Sequence, residues 1–235
     1  MVHYVKHIAH DWQTMGRTMV ITVFLADDHG VVREGLRSLL DAHDDIEVVG
    51  EAANGREATI LAGELCPDIA ILDIAMPELN GIEAASRLRV CCPQTQIIIL
   101  SMHSAHEHII RALRAGAQGY LLKESAGAEI VNAIRTVHKG RPYLSQKISD
   151  ILLQDYLNPD DAPDPAPLLS KLSSREREIL QLVVEGKSSS DIGDILNISS
   201  KSVDTYRSRL MKKLRIRDIP ALVKFAIMNG LTNLE

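Results

Sequence analysis

Short apolar runs alternate with helix-length segments over the first part of the chain, and this alternation constrains the fold most strongly. Five runs predict strands: Thr22–Ala26, Ile46–Ala52, Asp68–Asp73, Gln96–Leu100 and Gly119–Leu122. Apart from the second, they are nearly all apolar, which is typical of strands buried on both faces. The pattern therefore predicts an α/β domain, a doubly wound five-stranded parallel sheet with helices on both faces.

A proline-rich segment, Asn158–Pro167, ends this pattern. Proline lacks a backbone donor and restricts the residue before it, so we predict an extended linker here. The resulting division has an N-terminal extension at residues 1–18 and the α/β domain at 19–141. A helix and the linker follow at 142–169, and a second domain occupies 170–235.

The two parts of the chain differ in charge and in secondary structure. Residues 1–169 carry a net charge of −9 and residues 170–235 a net charge of +4. The second part is helical throughout, and two short helices joined by a tight turn, the second one basic, predict a small all-α domain with a helix-turn-helix. A basic domain favours double-stranded nucleic acid as a partner, while 3% aromatic residues disfavour stacking on single strands.

Composition disfavours several other classes of protein. No apolar run approaches the roughly 18 residues of a membrane span, and no secretory signal is visible, so we expect a cytoplasmic protein without a membrane partner. The cysteines are Cys66, Cys91 and Cys92. An odd count with an adjacent pair argues against a disulfide framework and for a reducing compartment. For the leader histidines His3, His7 and His10, a loose extension is favoured over a metal site.

Charged and hydroxyl side chains follow four of the five predicted strands. Asp27 and Asp28 come after the first strand, Asp73 ends the third, Ser101 follows the fourth and Lys123 the fifth. Because the carboxyl ends of parallel strands share one edge of a sheet, we expect these side chains to converge. Three carboxylates together favour Mg²⁺, and a carboxylate can act as a nucleophile toward phosphorus. The lysine and serine would then contact the phosphoryl oxygens.

Two alternatives remain open at this site. One is a phosphatase of the haloacid dehalogenase type, but that chemistry needs a second acid two residues after the nucleophile, where this chain has Ala75. The other is an interaction module in which Asp73 is never phosphorylated. For any one of these residues alone, a helix cap, a turn or a solvated side chain is the simpler interpretation.

The motifs LADDH, LDIAMPELNG and GYLLKES resemble those of bacterial response-regulator receiver domains, over residues 20–139. The resemblance implies a flavodoxin-like receiver in which Asp73 accepts a phosphoryl group from a histidine kinase. It implies a protein that is not an enzyme beyond slow self-dephosphorylation. The Mg²⁺ ligands would be Asp27, Asp28, Asp73 and the backbone carbonyl of Ala75, and the phosphate and switch residues Lys123, Ser101 and Tyr120.

The segment Met102–Tyr120 is the expected switching surface. It contains His103, His106 and His108. We predict that these histidines are solvated helix residues, in preference to a pH sensor or a metal site.

The motif LSSREREILQLVVEGKSSSDIGDILNISSKSVDTYRSRLMKKL resembles the LuxR-type helix-turn-helix of the NarL/FixJ family of response regulators. Ser202, Asp204 and Tyr206 depart from the common pattern, so an operator sequence cannot be transferred. The resemblance implies a homodimer on two-fold symmetric promoter DNA, paired through the last helix. The residues expected in that contact are Ile219, Leu222, Val223 and Ala226.

Helical geometry separates the two faces of the basic helix. At 100° per residue, an apolar stripe passes through Val203, Tyr206, Leu210 and Leu214 and predicts the core face. Recognition helices enter the major groove with their N-terminal end first. We therefore assign base edges to Lys201, Asp204, Thr205 and Ser208, and phosphates to Lys187, Arg207, Arg209 and Lys212. Before phosphorylation, we expect the acidic receiver to cover this helix.

Overall fold

The computed structural model describes residues 20–157 and 168–232. In the first of these ranges, strands and helices alternate throughout. The elements are β1 (Ile21–Ala26), α1 (Gly30–Leu40), β2 (Ile46–Ala52), α2 (Gly55–Leu65), β3 (Ile69–Asp73), α3 (Gly81–Cys91), β4 (Gln96–Ser101), α4 (His106–Ala115), β5 (Gly119–Leu122), α5 (Ala126–His138), β6 (Tyr143–Leu144) and α6 (Gln146–Leu157).

The strands form one parallel sheet in the order β2-β1-β3-β4-β5-β6. This order confirms the doubly wound fold and reverses its direction between β1 and β3, where open α/β sheets place their sites. The expected number of five strands is wrong by one, because β6 pairs with β5 through Tyr143 and Leu144. Two residues are too short a segment to show an apolar pattern in the sequence.

Both faces of the sheet are covered, which explains why the strands are almost continuously apolar. On one face, Phe24 and Leu72 pack with residues of α2, α3 and α4. On the other face, Leu25 and Ile71 pack with α1 and α5. Because successive side chains of a strand point to opposite faces, each strand supplies both cores.

The second described range is helical, as predicted. A short 3₁₀ helix, Leu168–Lys171, precedes α7 (Ser174–Val184), α8 (Ser189–Leu196), α9 (Ser200–Leu214) and α10 (Ile219–Met228). Capping boxes at Ser173 and Ser188 fix the starts of α7 and α8 by satisfying backbone donors at both ends of the motif. The tight turn into α9 places the carbonyl of Ile198 so close to Gly193 that a Cβ there would lie 2.7 Å from its oxygen. This close approach requires glycine.

Two interpretations fall outside the described residues. They concern the proline-rich linker Asn158–Pro167 and the histidines His3, His7 and His10. Within residues 20–157 and 168–232, no helix is both long enough and apolar enough to span a membrane.

The count and spacing of the cysteines argued against a disulfide framework, but the structure has one disulfide. Cys66 and Cys92 are joined, with their Cα atoms 5.6 Å apart, and Cys91 is free. The bridge connects the C-terminal ends of α2 and α3, which pack side by side on the same face of the sheet. A separation of 26 residues gives no local signal of such a pair.

Candidate functional site

Carboxylates converge where the strand order reverses, at the carboxyl ends of β1 and β3. Asp27 and Asp73 are 2% and 3% exposed. Together with Asp28 and His29, they offer ligand atoms that all lie within 4.8 Å of one another. The sequence reasoning missed His29, whose Nδ1 lies 2.7 Å from Asp28 Oδ1. Its position directly after the two aspartates was the available signal.

Lys123 joins this cluster from the end of β5. Its Nζ donates to Asp73 Oδ2 at 2.9 Å and lies 2.7 Å from Asp27 Oδ2. The backbone N–H of Lys123 donates to the carbonyl oxygen of Ser101 at 2.9 Å, which holds the residue next to the end of β4. The structure therefore places the lysine between the two buried carboxylates.

The electrostatics of Asp73 are dominated by its burial. Burial raises the pKa of Asp73 to about 6, against the lowering effect of Lys123, and Asp27 raises it further. The same two carboxylates raise the pKa of Lys123, although burial alone would lower it. The site therefore favours the ammonium form of the lysine and disfavours the ionised form of Asp73 until more positive charge is present.

The donor set fits a hard divalent cation. Asp28 Oδ1 is shielded from solvent and lies near the imidazole Nδ1 of His29, and as a carboxylate oxygen it can also bind an ion. Ala75, in the loop that follows β3, lines a cleft of about 380 Å³ together with Asp28. Carboxylate and carbonyl oxygens are the ligands that Mg²⁺ prefers, so these residues would hold it.

Ser101 and Tyr120 are linked through the backbone of His103. Both side chains are fully buried. The N–H of His103 donates to Ser101 Oγ at 2.9 Å, and the hydroxyl of Tyr120 donates to the carbonyl oxygen of His103 at 2.7 Å. Burial raises the pKa of Tyr120 to about 12, so its hydroxyl stays a donor. Moving Ser101 would therefore disturb Tyr120 through a single residue.

The prediction that His108 is solvated is wrong. Its side chain is buried and stacks on His103, with ring centroids 5.1 Å apart. The same ring lies against Gly230, where a Cβ would be 2.5 Å from the imidazole Cε1. Burial lowers the pKa of His108 to about 4, and the nearby His103 and Arg111 lower it further. His108 thus connects the switching segment to the end of α10.

The side chain of Gln181, on α7, holds the loop that follows β3. Its Nε2 donates to the carbonyl oxygen of Met76 at 2.8 Å, and its Oε1 accepts from the backbone N–H of Asn80 at 2.8 Å. Gln181 is fully buried. The helical domain therefore contacts the α/β domain in the loop that follows Asp73.

Charged contacts surround the two hydrogen bonds of Gln181. Arg177 Nε lies 2.5 Å from Glu83 Oε1, and Arg87 pairs with Glu178. The backbone N–H of Glu78 donates to Glu185 Oε1 at 3.0 Å. No periodicity in the sequence indicates these contacts, because they join residues more than 90 positions apart.

The expectation that the receiver covers the basic helix α9 is not met. In the described residues, the receiver contacts α7 instead. The outward side chains of α9 are exposed, namely those of Lys201, Asp204, Thr205, Ser208, Arg209 and Lys212, while that of Arg207 is half-buried. The difference arises because α7 itself carries both acidic and basic residues, which pair with charges on α3.

The core stripe of α9 is confirmed, and the polar face shows local bonds. Val203, Leu210 and Leu214 are buried, and Tyr206 packs against them. Thr205 and Ser208 donate to backbone carbonyls one turn earlier, and Asp204 Oδ1 accepts from Ser189 Oγ at 2.7 Å. Lys187 lies apart from α9 and lines the cleft that also contains Asp28 and Ala75.

Half of the residues expected in the dimer contact are unavailable for it. Leu222 and Ala226 are fully buried within their own domain. Ile219 and Val223 are half-buried. The apolar residues of α10 thus mainly form the core of their own domain. For this reason the apolar pattern wrongly indicated Leu222 and Ala226 as dimer contacts.

Two family models match this chain. The response regulator receiver domain matches residues 23–135, and the luxR family of bacterial regulatory proteins matches residues 170–226.

The chain is also similar to curated regulators over nearly their whole length. It is 38% identical over 215 residues to the oxygen regulatory protein NreC of Staphylococcus haemolyticus, covering 89% of this chain and 98% of that protein. It is 41% identical over 209 residues to the uncharacterized transcriptional regulatory protein YhcZ of Bacillus subtilis, covering 89% and 96%.

Among solved structures, the response regulator RcsB in complex with DNA is 25% identical, with a TM-score of 0.56, over 91% of this chain and 100% of that chain. A LuxR-family two-component response regulator from Aurantimonas is 36% identical, with a TM-score of 0.57, over 59% of this chain and 99% of that chain.

Proposed function

The chain belongs to the LuxR-type response regulators, DNA-binding transcription regulators with a receiver domain, and we propose that its phosphoryl acceptor is Asp73. The observation that carries this proposal is the contact of the Lys123 ammonium with two buried carboxylates, those of Asp73 and Asp27. The donor is a histidine kinase. The protein takes up one phosphoryl group and hydrolyses it slowly without a partner. It acts in the cytoplasm.

The transfer breaks the phosphorus–nitrogen bond of a phosphohistidine and forms a phosphorus–oxygen bond to Asp73, while the electron pair stays on the imidazole nitrogen. Lys123 already contacts Asp73 Oδ2, which leaves Oδ1 to attack. Asp27, Asp28, Asp73 and the carbonyl of Ala75 would hold Mg²⁺, which when bound offsets the negative charge of the carboxylates and the phosphoryl oxygens.

The switch follows from the hydrogen bonds of Ser101. A phosphoryl group adds acceptor oxygens near the end of β4, and Ser101 Oγ donates to one of them. This movement breaks the contact with the N–H of His103 and releases the bond from Tyr120. His103 also stacks on His108, so the change reaches the end of α10.

Release of the DNA-binding domain follows from the loop after Asp73. Charge on Asp73 shifts this loop, and Met76 and Asn80 then lose their hydrogen bonds to Gln181. The freed domain pairs with a second copy on a two-fold promoter site, through the half-buried Ile219 and Val223 of α10. In the bound state Lys201, Asp204, Thr205 and Ser208 approach base edges, and Lys187, Arg207, Arg209 and Lys212 hold phosphates.

The test uses the full chain, Mg²⁺ and acetyl phosphate as the donor. Intact-protein mass spectrometry should show one added phosphoryl group on the wild type and none on Asp73→Ala. The phosphorylated wild type should bind promoter DNA more tightly than the variant. Equal DNA affinities for the two proteins would overturn the proposal.

The same samples separate the two rival functions. An aspartate-nucleophile phosphatase would turn over the donor many times, far faster than the slow self-dephosphorylation of the regulator. An interaction module would show no mass change at all. Ala75 occupies the position where that phosphatase chemistry needs a second acid. The sequence therefore argues against the phosphatase.

A further inference from the structure

Three cysteines lie together at the C-terminal ends of α2 and α3. The Cα atoms of Cys66 and Cys92 are 5.6 Å apart, a normal separation for a disulfide. Cys66 is exposed, whereas Cys92 is 2% exposed. Cys91 is free and exposed. The bridge therefore joins an exposed cysteine to a buried one.

The surroundings accommodate the thiols as well as the disulfide. The sulfurs of Cys66 and Cys92 each lie 3.4 Å from the carbonyl oxygen of Gly63. In the reduced protein, either thiol has this acceptor in place without a movement of the backbone. Packing in the core beside Cys92 is already complete, since Ala62 and Leu88 are fully buried.

The bridge encloses the segment from residue 67 to residue 91. This segment contains β3 with Asp73, the loop with Met76 and Asn80, and all of α3. It supplies the receiver side of the contact with α7, including the partners of Gln181 and the ion-paired Glu83 and Arg87. A link between Cys66 and Cys92 therefore ties both ends of the element that holds the DNA-binding domain.

We infer that Cys66 and Cys92 form a reversible thiol–disulfide site, which reacts with small disulfides and dithiols and whose oxidation rigidifies residues 67–91. The inference is independent of the proposed phosphoryl acceptor, because it uses only the cysteines and the contacts around them. In a reducing compartment, as expected from the sequence, Cys66 and Cys92 stay as thiols until an oxidant is present.

The oxidation is a two-electron exchange with a small disulfide. The Cys66 thiolate attacks one sulfur of the reagent, breaks its sulfur–sulfur bond and releases one small thiolate. The Cys92 thiolate then attacks Cys66 in the mixed disulfide and releases the second. The two protons from the cysteines end on the two released thiols. A dithiol reverses both steps.

The test compares the reduced and oxidised full-length protein. After treatment with oxidised glutathione, peptide mapping without reductant should find Cys66 linked to Cys92, and dithiothreitol should restore both thiols. Hydrogen–deuterium exchange of residues 67–91 should slow by about tenfold on oxidation, because loop closure removes conformations from the locally open state.

Matched variants complete the design. Cys91→Ser removes the neighbouring thiol and should respond like the wild type, whereas Cys66→Ser should not respond to oxidant. If Cys66→Ser fails to fold, the reduced and oxidised wild type still give the comparison. Linkage of Cys66 to Cys91 or to a second chain, or equal exchange in the two redox states, would overturn the inference.

Discussion

Gln181 of α7 donates from Nε2 to the carbonyl oxygen of Met76 at 2.8 Å, three residues beyond Asp73. The same side chain accepts from the N–H of Asn80, so it satisfies two backbone groups of one loop. Because the glutamine is fully buried, these groups have no access to water while the domains are docked. The docked state therefore depends on the loop keeping its present shape.

Gln181→Ala should open the molecule without phosphorylation. Leaving a buried backbone donor and acceptor unpaired costs about 1–3 kcal/mol each, so the docked state loses much of its advantage. We expect a larger radius of gyration by small-angle X-ray scattering, and tighter promoter binding, by about tenfold, without a phosphodonor. Gln181→Glu keeps an acceptor and loses the donor, and should lie between the two. An unchanged scattering profile for both variants would contradict this coupling.

Asp73→Asn should stabilise the metal-free protein at neutral pH. The pKa of Asp73 is raised from 3.8 to about 6, so the folded chain holds a proton that the unfolded chain releases between these values. The cost of ionising Asp73 is thus absent below pH 3.8, grows as the pH rises to about 6 and then stays constant, at about 3 kcal/mol. Urea unfolding should show the asparagine variant more stable at pH 8 than the wild type, with the difference vanishing toward pH 4.

Two controls belong to this experiment. Asp44→Asn changes an exposed carboxylate and should show no such trend. Added Mg²⁺ should favour the wild type, because it offsets the charge that makes Asp73 costly. A difference that does not change with pH would show that Asp73 stays ionised in the folded protein.

Acid should loosen the contact between the domains at His108. Its pKa is lowered from 6.5 to about 4 by burial, with His103 and Arg111 adding positive charge nearby. Above pH 6.5, its ordinary pKa, His108 is neutral in both the folded and the unfolded chain. As the pH falls toward 4, the unfolded chain gains a proton that the folded chain does not, so the free energy of unfolding declines. As the pH falls from 6.5 toward 4, we expect the hydrodynamic radius of the wild type to increase.

His108→Gln isolates this effect from other titrating groups. Glu185 also lies in the interface, with a pKa raised by burial, and it is retained in the variant. The variant should show a smaller expansion over the same range, while His43→Gln, in the loop before β2, should behave like the wild type. Identical pH profiles for His108→Gln and the wild type would rule out a role for His108.

Lys212→Ala should weaken binding to all DNA sequences alike. A contact to a phosphate contributes to affinity through released counterions, so the slope of log affinity against log salt should fall by about 1. Thr205→Ala should instead change base preference. Lys224→Ala removes the same charge from an exposed position on α10 and serves as the control. A normal salt slope for Lys212→Ala would place Lys212 away from the DNA backbone.

The sequence predicted the parts of the molecule that follow from local patterns. Strand ends determine where Asp27, Asp73 and Lys123 meet, because parallel strands deliver their carboxyl ends to one edge. Periodicity likewise separated the buried Val203 from the exposed Lys201 on α9.

What the sequence did not reveal depends on tertiary contacts. Leu222 and Ala226 fit the apolar pattern of a dimer face equally well as that of a domain core, and the core is where they lie. His108 is polar by composition, yet α4 turns it inward beneath Gly230. The pairing of Gln181 with Met76 joins residues 105 positions apart, which no periodicity records.

Strand β6 gives the sheet a protected margin. Without Tyr143 and Leu144, the backbone groups of β5 would be open to a strand from another molecule, a common route to unwanted association. The two residues that close this side are too few to offer a long template themselves. Two receivers therefore have little backbone with which to join into a continuous sheet at this edge, and any assembly of receivers there must use side chains.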